Sequence, residues 1–431
     1  MKTNQSQKNT LNGWQLVPVS DVFTFVKSYA FSRDNLSNGI LSEDQIGNIH
    51  YGDIHSTFTS ENIDLSKVQI PIVKETNFNP KKQDFLKDGD LIMADASEDY
   101  DGIGVTISVH GIGKNKVVGG LHTFVLRDEK GKTSEYYRQY IFLNKEIRNK
   151  LQKVANGVSV YGISKTALSK MELSLPSLSE QNRIVSILET WDKSIEKLTH
   201  KIEVKRQIKK SLMQELLTGK KRLHGFIEKW ESVRLGEIAT FKKGKGLPKS
   251  EMDSSGKYEA IHYGELFTKY NEQIENIISR TNSNKNMFLS KKNDILMPTS
   301  DVTPRGLSTA SYLNKDGVVL GGDILVIRSS GSLNGLFFCY IVNLNKKDVI
   351  KLVSGSTVFH LYGSDMAKFE LKLPPLKEQE SIVKILVTAD KEITELEKKL
   401  SIIKEQKRYL LNNLITGTIR TPETLSTKLT K

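Results

Sequence analysis

The sequence predicts an α+β protein of pseudo-two-fold design, in which two α+β modules alternate with two long helices that pair with each other. Two observations predict it. Leu175–Arg222 and Leu373–Arg420 are copies of one another, in step over their whole length without a gap. The segments before them are more distant copies, so the chain reads module, helix, module, helix.

The helices come first because their signals are strongest. Leu-Pro-x-Leu-x-Glu-Gln opens both copies (Leu175–Gln181, Leu373–Gln379) and Leu-[Leu/Ile]-Thr-Gly closes both (Leu216–Gly219, Leu414–Gly417). No Gly or Pro lies between Pro176 and Gly219, or between Pro375 and Gly417. Proline just inside the start and glycine just past the end are helix boundary signals. Ser177 and Glu180 suggest a capping box in the first copy. Spacings of three and four then alternate through Leu188, Trp191, Ile195, Leu198, Ile202, Lys205, Lys209, Leu212 and Leu216. The second copy repeats them as Leu386, Ala389, Ile393, Leu396, Leu400, Ile403, Lys407, Leu410 and Leu414. This is a heptad seam made for another helix, and each copy supplies a partner for the other.

The modules follow. Trp14–Phe25 matches Trp230–Phe241, Ile49–Ile54 matches Ile261–Leu266, and Asp90–Met93 matches Asp294–Met297. Gly119-Gly120 is set against Gly321-Gly322, and Lys170–Pro176 against Lys368–Pro374. The expected boundaries are a flexible lead at 1–13, modules at 14–174 and 223–372, helices at 175–222 and 373–420, and a tail at 421–431. Within the modules, Leu121–Leu126 and Ile324–Arg328 read as glycine-bounded strands. Asp88–Asp90 and Lys292–Asp294 read as turns before the strands Leu91–Met93 and Ile295–Met297. Tyr136–Leu151 and Asn343–Leu352 can each hold a helix, and Cys339 is expected in a buried strand within Leu336–Val342.

Composition narrows the function. The net charge of +13 favours a polyanionic partner, although charge alone is a weak guide. One cysteine gives neither a disulfide framework nor a cysteine-based zinc site. The polar start and the lack of any 18-residue apolar run lead us to expect a soluble, cytoplasmic chain. No Walker A, Gly-x-Ser-x-Gly or [Asn/Asp]-Pro-Pro-[Tyr/Phe] motif occurs, and the eight histidines have no metal spacing, so neither catalysis nor a bound metal is expected.

Candidate DNA contacts are Lys27, Arg33, His50, Tyr51 and Lys165 in the first module. In the second they are Lys242, Lys243, Lys245, Lys249, His262, Tyr263 and Arg305. In Phe241–Lys249, glycines allow a backbone to approach phosphate and lysines neutralise it; a solvated lysine loop is the plainer alternative. His50-Tyr51-Gly52 and His262-Tyr263-Gly264 either present polar edges to bases or simply end buried strands. The two modules differ most in their loops, which suits two readers of different targets, or ordinary drift after duplication.

The duplicated arrangement, with Leu-Pro-x-Leu-x-Glu-Gln before each helix and Leu-[Leu/Ile]-Thr-Gly after it, resembles the specificity (S) subunit of type I restriction–modification systems. The resemblance spans Trp14 to Arg420. It implies two target recognition domains separated by two long antiparallel coiled-coil helices, the helices setting half-site spacing and docking two modification (M) subunits. Thr218–Arg222 and Thr416–Arg420 match the region where the family tunes that spacing. By the same resemblance, S-adenosylmethionine belongs to the methylation subunit and ATP with Mg to a restriction (R) subunit, of which two can join. This chain would then be a non-catalytic reader of double-stranded DNA; the competing reading is a coiled-coil scaffold without DNA recognition. The stretch Leu188–Leu216, 29 residues, would span roughly 42 Å at about 1.5 Å per residue. That is about 12 base pairs of duplex.

Overall fold

The computed structural model describes residues 13–58, 62–75, 77–283 and 285–424. Most of the expected lead and tail, residues 1–12 and 425–431, therefore lies outside the described residues. Contacts divide the chain into two compact units, Met1–Lys197 with Leu400–Lys431, and Leu198–Lys399. Each unit thus holds one module and a stretch of both long helices.

In the first unit a five-stranded sheet runs in the order Thr24–Val26, Thr123–Arg127, Leu91–Ala94, Thr106–His110, Asn62–Asp64. Leu91–Ala94 is buried at every position, which is why it reads as a continuous apolar run rather than an alternating one. A second sheet orders Lys116–Gly119, Ile46–Ile49, Ile72–Val73 and Leu36–Ser37. The second unit repeats the plan with two four-stranded sheets. One orders Ala239–Lys243, Ile324–Ser329, Asp294–Pro298 and Ser311–Leu313; the other orders Ser279–Thr281, Tyr258–Ile261, Val319–Leu320 and Phe288–Leu289.

The long helices begin later than the repeat suggests. They span Leu178–Leu216 and Leu376–Ile415. Leu175 and Leu373 instead end the strands Glu172–Leu175 and Glu370–Leu373, paired antiparallel with Gln15–Pro18 and Glu231–Arg234. A proline holds its preceding residue extended, so Leu-Pro is a strand end and the helix starts beyond it. The capping box is half formed. Ser177 Oγ accepts Glu180 N at 3.3 Å, but the Glu180 carboxylate is engaged elsewhere. At the other end, Gly219 and Gly417 take φ of +69° and +75°, the left-handed stop expected of glycine. A Cβ on either would lie against the indole of Trp230 or Trp14 at 3.4 and 3.3 Å.

Each helix is rooted in module core. Ile184, Val185, Leu188, Leu411, Leu414 and Ile415 join the core of the first unit. Met213, Leu216, Leu217, Ile382 and Leu386 join that of the second. Burying each such side chain contributes about 1.5–3 kcal/mol. All heptad positions are buried or half-buried: Leu188, Ile202, Leu216, Leu386, Ile393 and Leu414 fully, and Trp191, Ile195, Leu198, Leu212, Leu396, Leu400, Ile403 and Leu410 partly.

Two element assignments change. Cys339 is buried, but in the helix Gly335–Leu344 rather than a strand. Its residues from Gly335 to Val342 are all buried, so no helical period survives in the sequence; the Asn334 side chain caps the helix by accepting from Phe337 N. Tyr136–Leu151 holds two helices, Glu135–Ile141 and Lys145–Val154, divided where Asn144 caps the second. No described helix is long and apolar enough to cross a membrane.

Tyr137 is fully buried and its hydroxyl has no hydrogen-bond partner. The cap residues Ser134 and Asn334 donate their backbone N–H to Gln181 and Gln379, so Tyr137 corresponds to Phe337. Removing an unsatisfied buried hydroxyl is close to neutral or stabilising. Tyr137→Phe is therefore expected to hold or raise the thermal midpoint. A loss above about 1 kcal/mol would show that the hydroxyl has a partner.

Candidate nucleic-acid interface

Two matched sets of polar contacts hold the helices to the modules and to each other. In the first unit Trp14 Nε1 donates to Glu180 Oε2 at 3.1 Å, and Arg420 grips both carboxylate oxygens at 2.6 and 2.7 Å. In the second, Trp230 Nε1 donates to Glu378 Oε2 at 3.1 Å, and Arg222 makes the same fork at 2.7 Å to each oxygen. Both glutamates are buried. Burial pushes the Glu180 carboxyl up, but the Arg420 and Trp14 hydrogen bonds and the Arg420 charge outweigh it, and the net shift is downward.

The seam lysines are answered in the same paired way. Lys209 meets Asp390 at 2.5 Å and Lys205 meets Glu392 at 2.7 Å. Lys407 meets Asp192. Tyr340 and Tyr140 hydroxyls donate to Asp390 and Asp192. Within the second unit, 205, 209 and 222 on one side meet 392, 390 and 378 on the other, so the paired segments run antiparallel. In the first unit 180 and 192 meet 420 and 407 in the same sense.

In each module a parallel strand pair ends at a rim where several of the candidate DNA contacts lie. The pairs are Ile46–Ile49 with Lys116–Gly119, and Tyr258–Ile261 with Val319–Leu320. The loop leaving Thr24–Val26 crosses the first rim, where Tyr29 N donates to Gly119 O at 2.8 Å. Lys27 lies over the Tyr29 ring, and Arg33 is paired with Asp53 at 2.9 Å. Tyr51 packs beside His50, His55 and His122. Lys165 reaches over Phe25. On the second rim, Lys245 N donates to Leu320 O at 3.1 Å, and Tyr263 packs on His262. Lys242, Lys243, Lys245 and Lys249 are exposed along the crossing loop. Arg305 is exposed on the short helix Pro304–Leu307, next to Ser300–Asp301.

Three readings of these residues need correction. His50 is only 7% exposed, and its Nδ1 accepts Gly52 N at 3.0 Å while its own N–H donates to Asp53. Burial and the nearby Arg33 charge hold its pKa down. It starts a helix rather than facing a base. His262 makes the matching contacts, its Nδ1 accepting Gly264 N at 3.4 Å and its backbone N–H donating to Glu265, but it is half-buried, and Gly264 rather than His262 precedes the helix Glu265–Thr268. Gly244 is buried, and a Cβ there would come within 1.9 Å of Gly321 O. That glycine lets the loop approach the module's own backbone, not a phosphate. Third, the glycine pairs match one residue out of step. Gly120 N donates to Ile49 O and Gly321 N to Ile261 O, so Gly120 corresponds to Gly321 and His122 to Asp323.

Comparison with known proteins places this arrangement. The profile described as type I restriction modification DNA specificity domain matches the chain twice, over residues 12–206 and 227–405. The chain belongs to that family. It is 28% identical to a putative type I restriction enzyme MjaX specificity subunit from Methanocaldococcus jannaschii over 318 residues, 70% of this chain and 72% of the relative. It is 22% identical to the StySPI specificity subunit from Salmonella potsdam over 394 residues, 86% and 81% of the two chains. Its fold is like that of the S subunit from M. genitalium, with a TM-score of 0.54, 16% identity, and 94% and 97% of the two chains covered. A chain from a type I R-M system gives a TM-score of 0.62 at 17% identity, with 96% and 100% covered. Nothing in these matches supports a scaffold without DNA recognition.

The structure joins into one contact residues that the sequence marks only separately, Glu180 as half of a capping box and Trp14 and Trp230 as the openings of matched segments. Glu180 and Glu378 stand in the matched Leu-Pro-x-Leu-x-Glu-Gln motif, and Trp14 and Trp230 open the matched segments. Their joint repetition was the available signal of a shared contact. Tyr29, Asp95, His122 and Asp323 stand at the rims without such a signal, because they differ between the copies.

Proposed function

We propose that the chain is the non-catalytic, DNA-reading subunit of a type I restriction–modification complex in the cytoplasm. Each module reads one half of a bipartite site in double-stranded DNA, and the paired helices set the distance between the halves. The observation that carries this reading is the repeat itself: two rims built on like frames but lined with unlike side chains. Two M subunits dock on the helices, where Val204, Ile208, Ile402 and Tyr409 leave apolar surface exposed. Two R subunits complete the complex. S-adenosylmethionine binds the M subunits, ATP with Mg binds the R subunits, and this chain holds no cofactor.

The test is salt dependence. Phosphate contacts release counterions, so each lost contact flattens the log–log slope by roughly one unit. Replacing Lys242, Lys243 and Lys245 together by Ala is expected to weaken DNA binding of the assembled complex and flatten that slope by up to about three units. An unchanged slope would assign the three lysines to solvent.

A further inference from the structure

We propose that Asp323 in the second module and His122 at the matching place in the first read bases, Asp323 accepting from an amino group, cytosine N4 or adenine N6. The proposal rests on the reading of each module as the reader of one half-site.

The match between the two positions is fixed by backbone. His122 O accepts from Asp95 N at 3.1 Å, and Asp323 O accepts from Thr299 N at 2.9 Å. Two readers on one frame are told apart only where like positions carry unlike chemistry. His50 and His262 are alike and hold the frame, and Tyr51 and Tyr263 are alike beside them. Lys27 answers Lys243 and Arg33 answers Lys249, cations in both modules, which suits phosphate because it is the same in every sequence. His122 against Asp323 is different in kind: one carries a ring donor and acceptor, the other accepts only.

Both side chains are available, at 50% and 45% exposure. Asp323 sits 3.3 Å from Lys243, on the rim crossed by Lys242 and Lys245. A carboxylate at a phosphate-binding rim repels the duplex unless it gains something in return. In the major groove an acceptor-only group gains a bond from an amino group and discriminates against bases lacking one. His122 holds φ of +54°, a left-handed conformation that His adopts more readily than most side chains. Its Nδ1 faces Asp95 at 3.2 Å, so Nε2 is the ring nitrogen left to meet a base.

The experiment is genome-wide methylation mapping in a strain carrying the full-length variant with its methylation subunits. Asp323→Ala is expected to relax one base position of the second half-site, by about ten-fold or more in preference, and leave the first half-site unchanged. His122→Ala should do the reverse. Lys243→Ala breaks the same ion pair from the other side, and is expected to weaken methylation at all sites with the motif intact. If Asp323→Ala strengthens binding to every sequence and alters no base, Asp323 is only a charge partner and the proposal fails. It fails also if Lys243→Ala relaxes the same base. Asp323→Asn preserves the shape and adds a donor, so it must shift the preferred base even if the alanine variant accumulates poorly. A parental motif without two specified blocks would instead defeat the broader reading of the modules.

Discussion

A half-chain ending at Arg222 is expected to form a two-fold dimer. It keeps Glu180, Asp192, Lys209 and Arg222, the acid and the base of both polar contact sets. In the intact chain Glu180 bonds Arg420, whose counterpart in the repeat is Arg222, and Asp192 bonds Lys407, whose counterpart is Lys209. A second copy therefore supplies each missing partner through a closed, self-complementary interface. The apolar seam gives the driving force, since Ile202 and Leu216 would otherwise face water. With methylation subunits the dimer should modify a palindromic version of the first half-site. Light scattering and methylation mapping of a strain carrying only this half are the checks. A soluble monomer, or a dimer that still modifies the asymmetric parental site, would contradict the exchangeable frame.

Glu180→Ala should be among the most damaging single changes. Glu180 is 3% exposed and serves Trp14 and Arg420 at once. Its loss leaves the buried indole N–H without an acceptor, costing about 1–3 kcal/mol. Arg420 is partly exposed, so its share is screened and adds only about 1 kcal/mol. Glu378→Ala should act alike in the other unit, and the two should add because they share no partner. Calorimetry of the single and double variants measures this; wild-type midpoints would dismiss the contact as incidental. The same carboxylate sets a pH dependence. Its folded pKa lies below the unfolded value, so its contribution is full above the unfolded pKa, about 4.3. That contribution is lost as pH falls through the lower folded value.

The repeat made much of this frame legible. Heptad spacing and the absence of Gly and Pro marked the long helices, because period and breakers act locally. The helix starts are not legible, since Leu175 and Leu373 owe their strand geometry to partners far off in the chain, Gln15 and Glu231. The run around Cys339 reads as a strand because burial on all sides erases helical periodicity. The rims were harder still. His50 looked available until its cap geometry consumed its ring nitrogen, and Asp323 was hidden by matching two glycine pairs one residue out of step. A glycine pair carries no side chain to fix its register; only the bonds of Gly120 and Gly321 to the preceding strand do so.

The most direct test of two readers on one helical frame is single-molecule methylation mapping in a strain carrying the intact chain with its methylation subunits. The account predicts an asymmetric motif of two specified blocks separated by several unspecified base pairs. A single continuous block, or one block repeated as a palindrome, would contradict it.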